Sequence, residues 1–142
     1  MAKRNLALVI ALLLAFSVIL GGCGSKKSEV PAVKDSINGF ADAYSRGYYQ
    51  TCTDYLVGIT DANRDSTVNT LSTYHQMCTT IRVDSIDNVT VDQSTATASV
   101  TVTAAIPQDK QMTIELTLTK ADDTWKFSFE AMMTAILKQL GF

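Results

Sequence analysis

The side chains with the most reactive chemistry in this sequence are three thiols and one imidazole. Cys23 follows an apolar segment near the N-terminus, whereas Cys52, His75 and Cys78 lie in the middle of the chain. A thiol can be acylated or oxidised to a disulfide, and thiolates together with an imidazole bind zinc. The reaction open to each thiol depends on the cellular compartment, which the segment before Cys23 indicates.

The segment before Cys23 has the three zones of an export signal. Lys3 and Arg4 give it a positive start, residues 6–20 form an apolar run of 15 residues, and two small glycines follow. This order is typical of a secretory signal peptide. A helix that spans a bilayer needs about 20 apolar residues, so the run is short for a span. A cleaved signal is therefore favoured over an uncleaved anchor.

The stretch LGGC (residues 20–23) resembles the lipobox of bacterial lipoproteins. The resemblance implies that residues 1–22 are a signal peptide removed after Gly22, and that the Cys23 thiol receives a diacylglycerol with acyl chains such as palmitate. The protein is then held by lipid at the extracytoplasmic face of the cell membrane. Gly24 does not resemble the Asp signal for inner-membrane retention, so the outer membrane stays open in a two-membrane cell.

The chain after Gly22 has the size and charge of one mildly acidic domain. Its 120 residues contain ten Lys and Arg against 14 Asp and Glu, which leaves a net charge of −4. No basic stripe is present to neutralise phosphates, so we expect no nucleic-acid partner. We expect residues 23–30 to be the lipidated cysteine and a polar tether too short to form structure. Residues 31–142 are expected to form a single domain.

Apolar residues at helical spacing predict three helices in the first half of this domain. The first helix ends at Gly47, and its apolar face consists of Val33, Ile37, Phe40 and Tyr44. A shorter helix over residues 48–58 and a third over residues 68–81 follow.

From residue 82 onward the apolar residues alternate with polar ones, which is the period of a β-strand. The stretches TATASVTVTAAI (95–106), QMTIELTLT (111–119) and WKFSFE (125–130) are joined by turn sequences that predict hairpins. The earlier stretch, residues 81–91, loses the alternation twice, which predicts a bulge or bend near residues 84–88. One aliphatic and one Thr/Ser face predict an antiparallel sheet that the helices cover on one side.

This order of elements resembles the nuclear-transport-factor-two-like, cystatin-like roll. FADAYSRGYYQTCTDYL (40–56) is similar to that family's opening helices, and MTIELTLTKADDTWKF (112–127) to its paired strands. The resemblance implies an α+β fold in which N-terminal helices pack on a bent antiparallel four-stranded sheet, here with a short C-terminal helix added. It also implies a cone with a pocket at its deep end, which some members use for isomerase, dehydratase or cyclase chemistry through an inward-facing Asp or His.

The carboxylates of this sequence do not match such chemistry, because a general base must reach the substrate proton. Glu115 and Glu130 share the Thr/Ser face, and Asp35 and Asp42 lie opposite the apolar face of the first helix. The carboxylates whose placement stays open are Asp54, Asp61 and Asp65. We therefore expect a non-catalytic module that binds a small ligand or an envelope protein without a cofactor. An isomerase- or dehydratase-type enzyme is the alternative.

Several other residues have two interpretations each. Five aromatic residues either line a ligand pocket or belong to the core, which their helical and strand spacing favours: Tyr44, Tyr48, Tyr55, Tyr74 and Trp125. His75 with Cys52 and Cys78 is a set that zinc accepts. Their spacing matches no known metal signature, so no metal site is predicted.

Cys52 and Cys78 are the pair that remains when Cys23 carries lipid. Export favours oxidation, and each thiol falls on the inner face of its helix, so we expect a disulfide between the second and third helices. The alternative that stays open is two buried thiols that pack as small apolar groups.

The last 12 residues, AMMTAILKQLGF, predict a helix with an apolar stripe made of Met133, Ile136, Leu137 and Leu140. Such a short helix is not stable alone, so its stripe must be covered. Either the helix is a lid on the mouth of its own roll, or it packs against a second copy or a partner. The direct chain connection to Phe129 favours the lid.

Overall fold

The computed structural model describes residues 25–142, so the predicted signal peptide and Cys23 lie outside the described residues. The elements follow in the order α1 (Ser25–Ser45), α2 (Tyr49–Cys52), α3 (Arg64–Met77), β1 (Ile81–Asp92), β2 (Thr95–Ile106), β3 (Gln108–Ala121), β4 (Thr124–Phe127) and α4 (Phe129–Leu140). A 3-10 turn, Thr53–Tyr55, extends α2. Among these helices we find none both long and apolar enough to span a bilayer.

The strands form one antiparallel sheet in the order β1-β2-β3-β4. β2 and β3 pair without interruption along twelve residues. β1 loses register against β2 between Val83 and Ser85 and again between Asp87 and Thr90. These two shifts confirm the predicted irregularity near residues 84–88, and the α+β class with four antiparallel strands is confirmed with it.

One face of the sheet forms the floor of the core. α1 packs on β1 and α4 packs on β3. The buried residues that β2 and β3 contribute are Ala96, Ala98, Val100, Val102, Ala104, Met112, Ile114, Leu116 and Leu118. The other face carries hydroxyl side chains, among which the Thr101 and Thr113 Oγ1 atoms lie 3.0 Å apart. Alternating burial of this kind is what an antiparallel sheet with one wet face produces.

The first helix begins six residues earlier than expected. Residues 25–30, which we expected to be an unstructured tether, are the first turns of α1, and Pro31 lies inside the helix. A proline inside a helix removes one hydrogen bond and crowds the carbonyl four residues earlier, whereas the Glu29 side chain holds this part of α1 against β3 and β4. The expectation of a polar tether over residues 24–30 was therefore wrong from Ser25 onward.

Two other element boundaries differ from the expected ones. The third helix covers Arg64–Met77 rather than residues 68–81, because Ile81 pairs with Ala104 as the first residue of β1. The fourth strand ends at Phe127, and α4 begins at Phe129 instead of residue 131. The Ser128 hydroxyl accepts a hydrogen bond from the Ala131 N–H at 3.1 Å, which is the N-cap that starts the helix early.

Candidate functional site

Aromatic side chains fill the space between the helices and the sheet. The Phe40 and Phe127 rings meet edge to face with centroids 5.0 Å apart, and Phe129 meets Tyr74 in the same way at 5.3 Å. Tyr44 stacks with Phe40 at 5.9 Å. Rings at these distances and angles attract one another in addition to burying apolar area. The deep part of the cone is thus a packed core in this chain.

The five aromatic residues proposed as pocket lining do not form one group. Tyr44 and Trp125 are fully buried in the core, Tyr55 and Tyr74 are partly buried, and Tyr48 is 58% exposed. The interpretation of these residues as core therefore fits Tyr44 and Trp125. Tyr55 lies so close to Gly39 that a Cβ atom there would stand 2.5 Å from the Tyr55 hydroxyl oxygen.

The described core holds no carboxylate. Its buried polar residues are Ser36, Thr53 and Thr103. Of the three carboxylates left open by the sequence, Asp54 pairs with Arg64 at 3.3 Å near the surface, and Asp61 and Asp65 are exposed. A general base in the cone would have to be an inward-facing titratable group. None of these three carboxylates takes that position.

The two interior cysteines are separate thiols, and both are completely buried. The predicted disulfide between Cys52 and Cys78 is thus not present in the structure. The two thiols are instead buried separately, which was the alternative. The Cys78 thiol donates to the Thr80 carbonyl at 3.4 Å. Burial raises the pKa of Cys52 to about 12 and that of Cys78 to about 11, so little thiolate is available to start disulfide formation.

His75 packs against tyrosines rather than against the thiols. Its ring centroid lies 5.2 Å from that of Tyr44 and 5.6 Å from that of Tyr49, and its Nδ1 atom has no hydrogen-bond partner. Tyr44 donates its hydroxyl hydrogen to the Cys78 carbonyl at 3.0 Å. Within residues 25–142 no three His, Cys, Asp or Glu side chains are placed to hold a metal ion together.

The C-terminal helix packs on its own sheet. Phe129, Met132, Met133 and Ile136 are buried, Leu137 and Leu140 are partly buried, and the Gln139 amide contacts the Thr113 carbonyl of β3 at 3.5 Å. Met132 is not one of the four residues of the predicted stripe. It is buried because the stripe begins at Phe129 and continues at i+3, i+4 and i+7. The sequence left open whether this helix covers its own roll or packs against a second copy or a partner. In the structure it packs on its own roll.

A groove of about 510 Å³ runs between α1 and the first residues of β1. Its lining residues are Asn38, Ala41, Asp42, Ser45, Thr80, Ile81, Arg82 and Val83. Ser45 joins the two walls, because its hydroxyl donates to the Ile81 carbonyl at 3.2 Å and accepts from the Ile81 N–H at 3.1 Å. The sequence interpretation missed this site, since its residues come from two segments with no motif of their own.

The groove has an apolar floor and a charged rim. Ala41 and Ile81 are buried and Val83 is half-buried, whereas Asp42 and Arg82 are exposed. Asp42 pairs with Arg46 at 2.9 Å across an exposed helix turn, an interaction that contributes little to stability. β1 is an edge strand, and at its first residue the Ser45 hydroxyl already occupies the N–H and the C=O of Ile81.

Asp84 stands at the first bulge of β1 and ties three strands together. Its carboxylate accepts from the Thr103 hydroxyl at 2.6 Å, the Gln111 amide at 2.9 Å and the Arg82 guanidinium at 3.0 Å. These hydrogen bonds lower the pKa of Asp84 to about 2. The Asp84 carboxylate thus binds donors from β1, β2 and β3 and holds these strands together next to Arg82, which lines the groove.

Two other cavities are less suited to a ligand. One of about 510 Å³ lies on the outer side of α4 and is lined only by that helix and its cap. Another of about 270 Å³ lies between Leu56–Ile59, the start of α3 and the start of α4. Its hydroxyl groups at Ser66, Thr67 and Thr70 already bond to backbone carbonyls of their own helix region.

Glu29 binds the start of α1 to the last hairpin. One carboxylate oxygen accepts from Lys120 Nζ at 2.7 Å and the other from the indole N–H of Trp125 at 2.7 Å. The hydrogen bond from Lys120 and that from Trp125 lower the pKa of Glu29, and the same contact raises the pKa of Lys120. Because a buried indole N–H needs a hydrogen-bond acceptor, Trp125 in the sequence was itself a signal that a polar residue such as Glu29 packs against it.

Searches for similar proteins found likeness at the level of structure. No protein-family profile and no curated protein sequence matches the chain significantly. A protein of unknown function from Mycobacterium tuberculosis superposes with a TM-score of 0.57 at 13% identity, over 77% of this chain and 73% of its own. Two further solved structures that resemble this chain are described as NTF2-like.

An NTF2-like protein of unknown function from Shewanella oneidensis gives a TM-score of 0.52 at 14% identity, over 70% of this chain and 94% of its own. A protein from Streptomyces avermitilis, provisionally named a dehydratase of the NTF2-like family, gives a TM-score of 0.51 at 16% identity, over 71% of this chain and 91% of its own. The chain has the nuclear-transport-factor-two-like fold.

Proposed function

We propose that this protein is a lipid-anchored, extracytoplasmic binding module that holds a ligand or partner segment in the groove between α1 and β1. The observation that carries the proposal is the contrast between a core packed with aromatic rings and an open groove with an apolar floor. Ligand sites in proteins are concave and mostly apolar, with a few polar groups that fix orientation. The groove has this composition.

The anchor belongs to the same proposal. The sequence before Cys23 has the zones of an export signal and the lipobox-like stretch LGGC. Lipid on Cys23 then gives the protein its membrane partner and its place at the extracytoplasmic face of the cell membrane. In a two-membrane cell, the outer membrane is included.

The groove favours a ligand with an apolar body and a polar edge. Ala41, Ile81 and Val83 offer apolar contact, whereas Asn38 and Arg82 offer donors at the rim. A small amphipathic molecule and an extended segment of an envelope protein share this chemistry. The extended segment has the further advantage of the outer edge of β1 beyond Ile81, where a strand adds through main-chain hydrogen bonds.

Enzymatic activity of the dehydratase type is the second candidate, and the name of the Streptomyces neighbour is its support. That chemistry needs an acid or base facing into a cavity. The aromatic packing around Phe40 and Phe127 and the apolar character of the described core support binding over catalysis.

A blocked-groove variant tests the proposal. Asn38 is exposed and lines the groove, so Asn38→Trp fills it, whereas Asp35→Trp adds the same ring one turn earlier, outside it. The detergent-solubilised full-length protein is screened by thermal shift against amphipathic molecules and peptides. A ligand at 100 times its Kd adds about 2.7 kcal/mol, or roughly 10 °C. Stabilisation of the wild type and Asp35→Trp but not of Asn38→Trp supports the groove, and equal stabilisation of all three contradicts it.

A further inference from the structure

The contacts of Glu29 fix the start of α1 against two turns of the sheet. α1 begins at Ser25, and Glu29 lies one turn later, bonded to both Lys120 and Trp125 at 2.7 Å. Lys120 is also linked to the β1–β2 turn, because its N–H donates to the Ser94 carbonyl at 2.8 Å. The start of α1, the β1–β2 turn and the β3–β4 turn are therefore at one end of the domain. We call this the anchor end.

The opposite end of the domain is defined by a second set of contacts. The last residue of α1, Ser45, bonds to Ile81 at the start of β1, and Ile81 lies opposite Ala104 near the end of β2. The β2–β3 turn follows at Pro107. α1 thus runs from the anchor end to this far end, a length of about 30 Å at 1.5 Å per residue.

Chain length places the anchor end at the membrane surface. Only Gly24 separates Cys23 from Ser25, and two residue steps span at most about 7 Å whatever their conformation. A diacylglycerol on Cys23 keeps its glycerol at the edge of the hydrocarbon, beneath a headgroup layer of roughly 5–8 Å. The first turn of α1 must then lie at the headgroups, and Glu29 prevents α1 from swinging away from the sheet.

We propose that the anchor end is a membrane-apposed surface and that its partner is the phospholipid headgroup layer, with the groove held at a fixed height of roughly 20–30 Å along α1. This inference rests on the lipidation of Cys23 proposed above. Charge gives this end no net attraction to an anionic bilayer, because Lys26 and Lys27 in the first turn of α1 are offset by Asp92, Asp122 and Asp123, which are exposed there. The short connection and the Glu29 contacts set the orientation. The groove, lined by Asn38 and Ser45, then faces partners away from the membrane.

Two exposed glutamines offer a matched pair of probe positions. Gln93 lies in the β1–β2 turn at the anchor end, and Gln108 lies at the β2–β3 turn at the far end. The twelve residues of β2 separate them by up to about 40 Å. Gln93→Cys and Gln108→Cys are each labelled with a fluorophore in the lipidated full-length protein, since the buried thiols of Cys52 and Cys78 react slowly. The vesicles contain phosphatidylethanolamine and phosphatidylglycerol with a nitroxide on a fraction of the headgroups.

We expect the label at position 93 to be quenched at least about fivefold more than the label at position 108, because the far end is out of reach. Glu29→Ala should reduce this contrast, whereas Asp35→Ala, an exposed acid on the same helix, should preserve it. A ten-residue Gly/Ser insertion after Gly24 leaves the folded domain unchanged and adds roughly 17 Å of flexible reach. It should abolish the contrast even if Glu29→Ala unfolds the protein.

Two results overturn the orientation while leaving the anchor in place. One is equal quenching at both positions in protein that mass spectrometry shows to be lipidated. The other is a contrast that survives the Gly/Ser insertion. Protein that carries no lipid on Cys23 overturns the anchor itself, and this proposal with it.

Discussion

Truncation of Ile136 tests whether the C-terminal helix is part of the domain's own core. The Ile136 side chain is completely buried between α4 and the sheet, with Met132 and Met133 buried beside it. Replacing a buried Ile with Ala removes apolar contact and leaves a cavity, which costs about 2–5 kcal/mol. The whole domain is expected to have only about 5–15 kcal/mol of stability.

The magnitude converts to a melting temperature that circular dichroism can measure in mild detergent. For a domain of this size, each kcal/mol lowers the melting temperature by roughly 4 °C, so Ile136→Ala should lower it by about 8–20 °C. Thr134→Ala is the matched control, because Thr134 is exposed on the same helix. It should change stability by less than about 0.5 kcal/mol.

The opposite outcome is equally specific. If Ile136→Ala melts within about 2 °C of the wild type but loses self-association or partner binding, the helix is not part of its own core. The interface alternative for Met133, Ile136, Leu137 and Leu140 would then be correct, and the packing of α4 on β3 would not describe the protein in solution.

Three further predictions follow from single contacts. Gly39→Ala should lower stability by about 1–2 kcal/mol because its methyl group meets the Tyr55 ring, whereas in a Tyr55→Ala background it should be neutral or stabilising; equal effects in both backgrounds would contradict this. The pKa of Asp84 is lowered from 3.8 to about 2, so its contribution is fully present above pH 4 and is lost as the pH falls towards 2. The melting-temperature gap between wild type and Asp84→Asn should therefore shrink over that interval, and a gap that stays constant would refute the role of the charge. Cys52 and Cys78 should label slowly in the native protein and completely after denaturation without reductant, whereas absence of label would indicate a disulfide.

Periodicity in the sequence predicts the elements well because burial of one face repeats regularly. The alternation in residues 95–106 corresponds to buried Ala and Val on β2, and the slips near residues 84–88 correspond to two register shifts. Boundaries are less predictable, because they depend on contacts outside the segment. Ile81 belongs to β1 since it pairs with Ala104, and Phe129 starts α4 since Ser128 caps it.

The sites are harder to predict because their members are far apart in the chain. Glu29 is 91 residues from Lys120 and 96 from Trp125, so its sequence neighbourhood of polar residues suggested a tether. The groove joins the second half of α1 to the start of β1, and neither segment has a motif. Cys52 and Cys78 are both buried, as their inner positions suggested, although Cys78 follows the end of α3 at Met77, and helical spacing could not show whether the two thiols are joined.

Mass spectrometry of the protein purified from cell membranes tests the central claim, a lipid-anchored module, most directly. We predict an N-terminal peptide that begins at Cys23 and carries a diacylglycerol on its thiol, and we predict that Cys23→Ala removes this modification, because no other thiol lies at the signal boundary. An unmodified peptide that spans Gly22 to Gly24 as the main species would contradict the account.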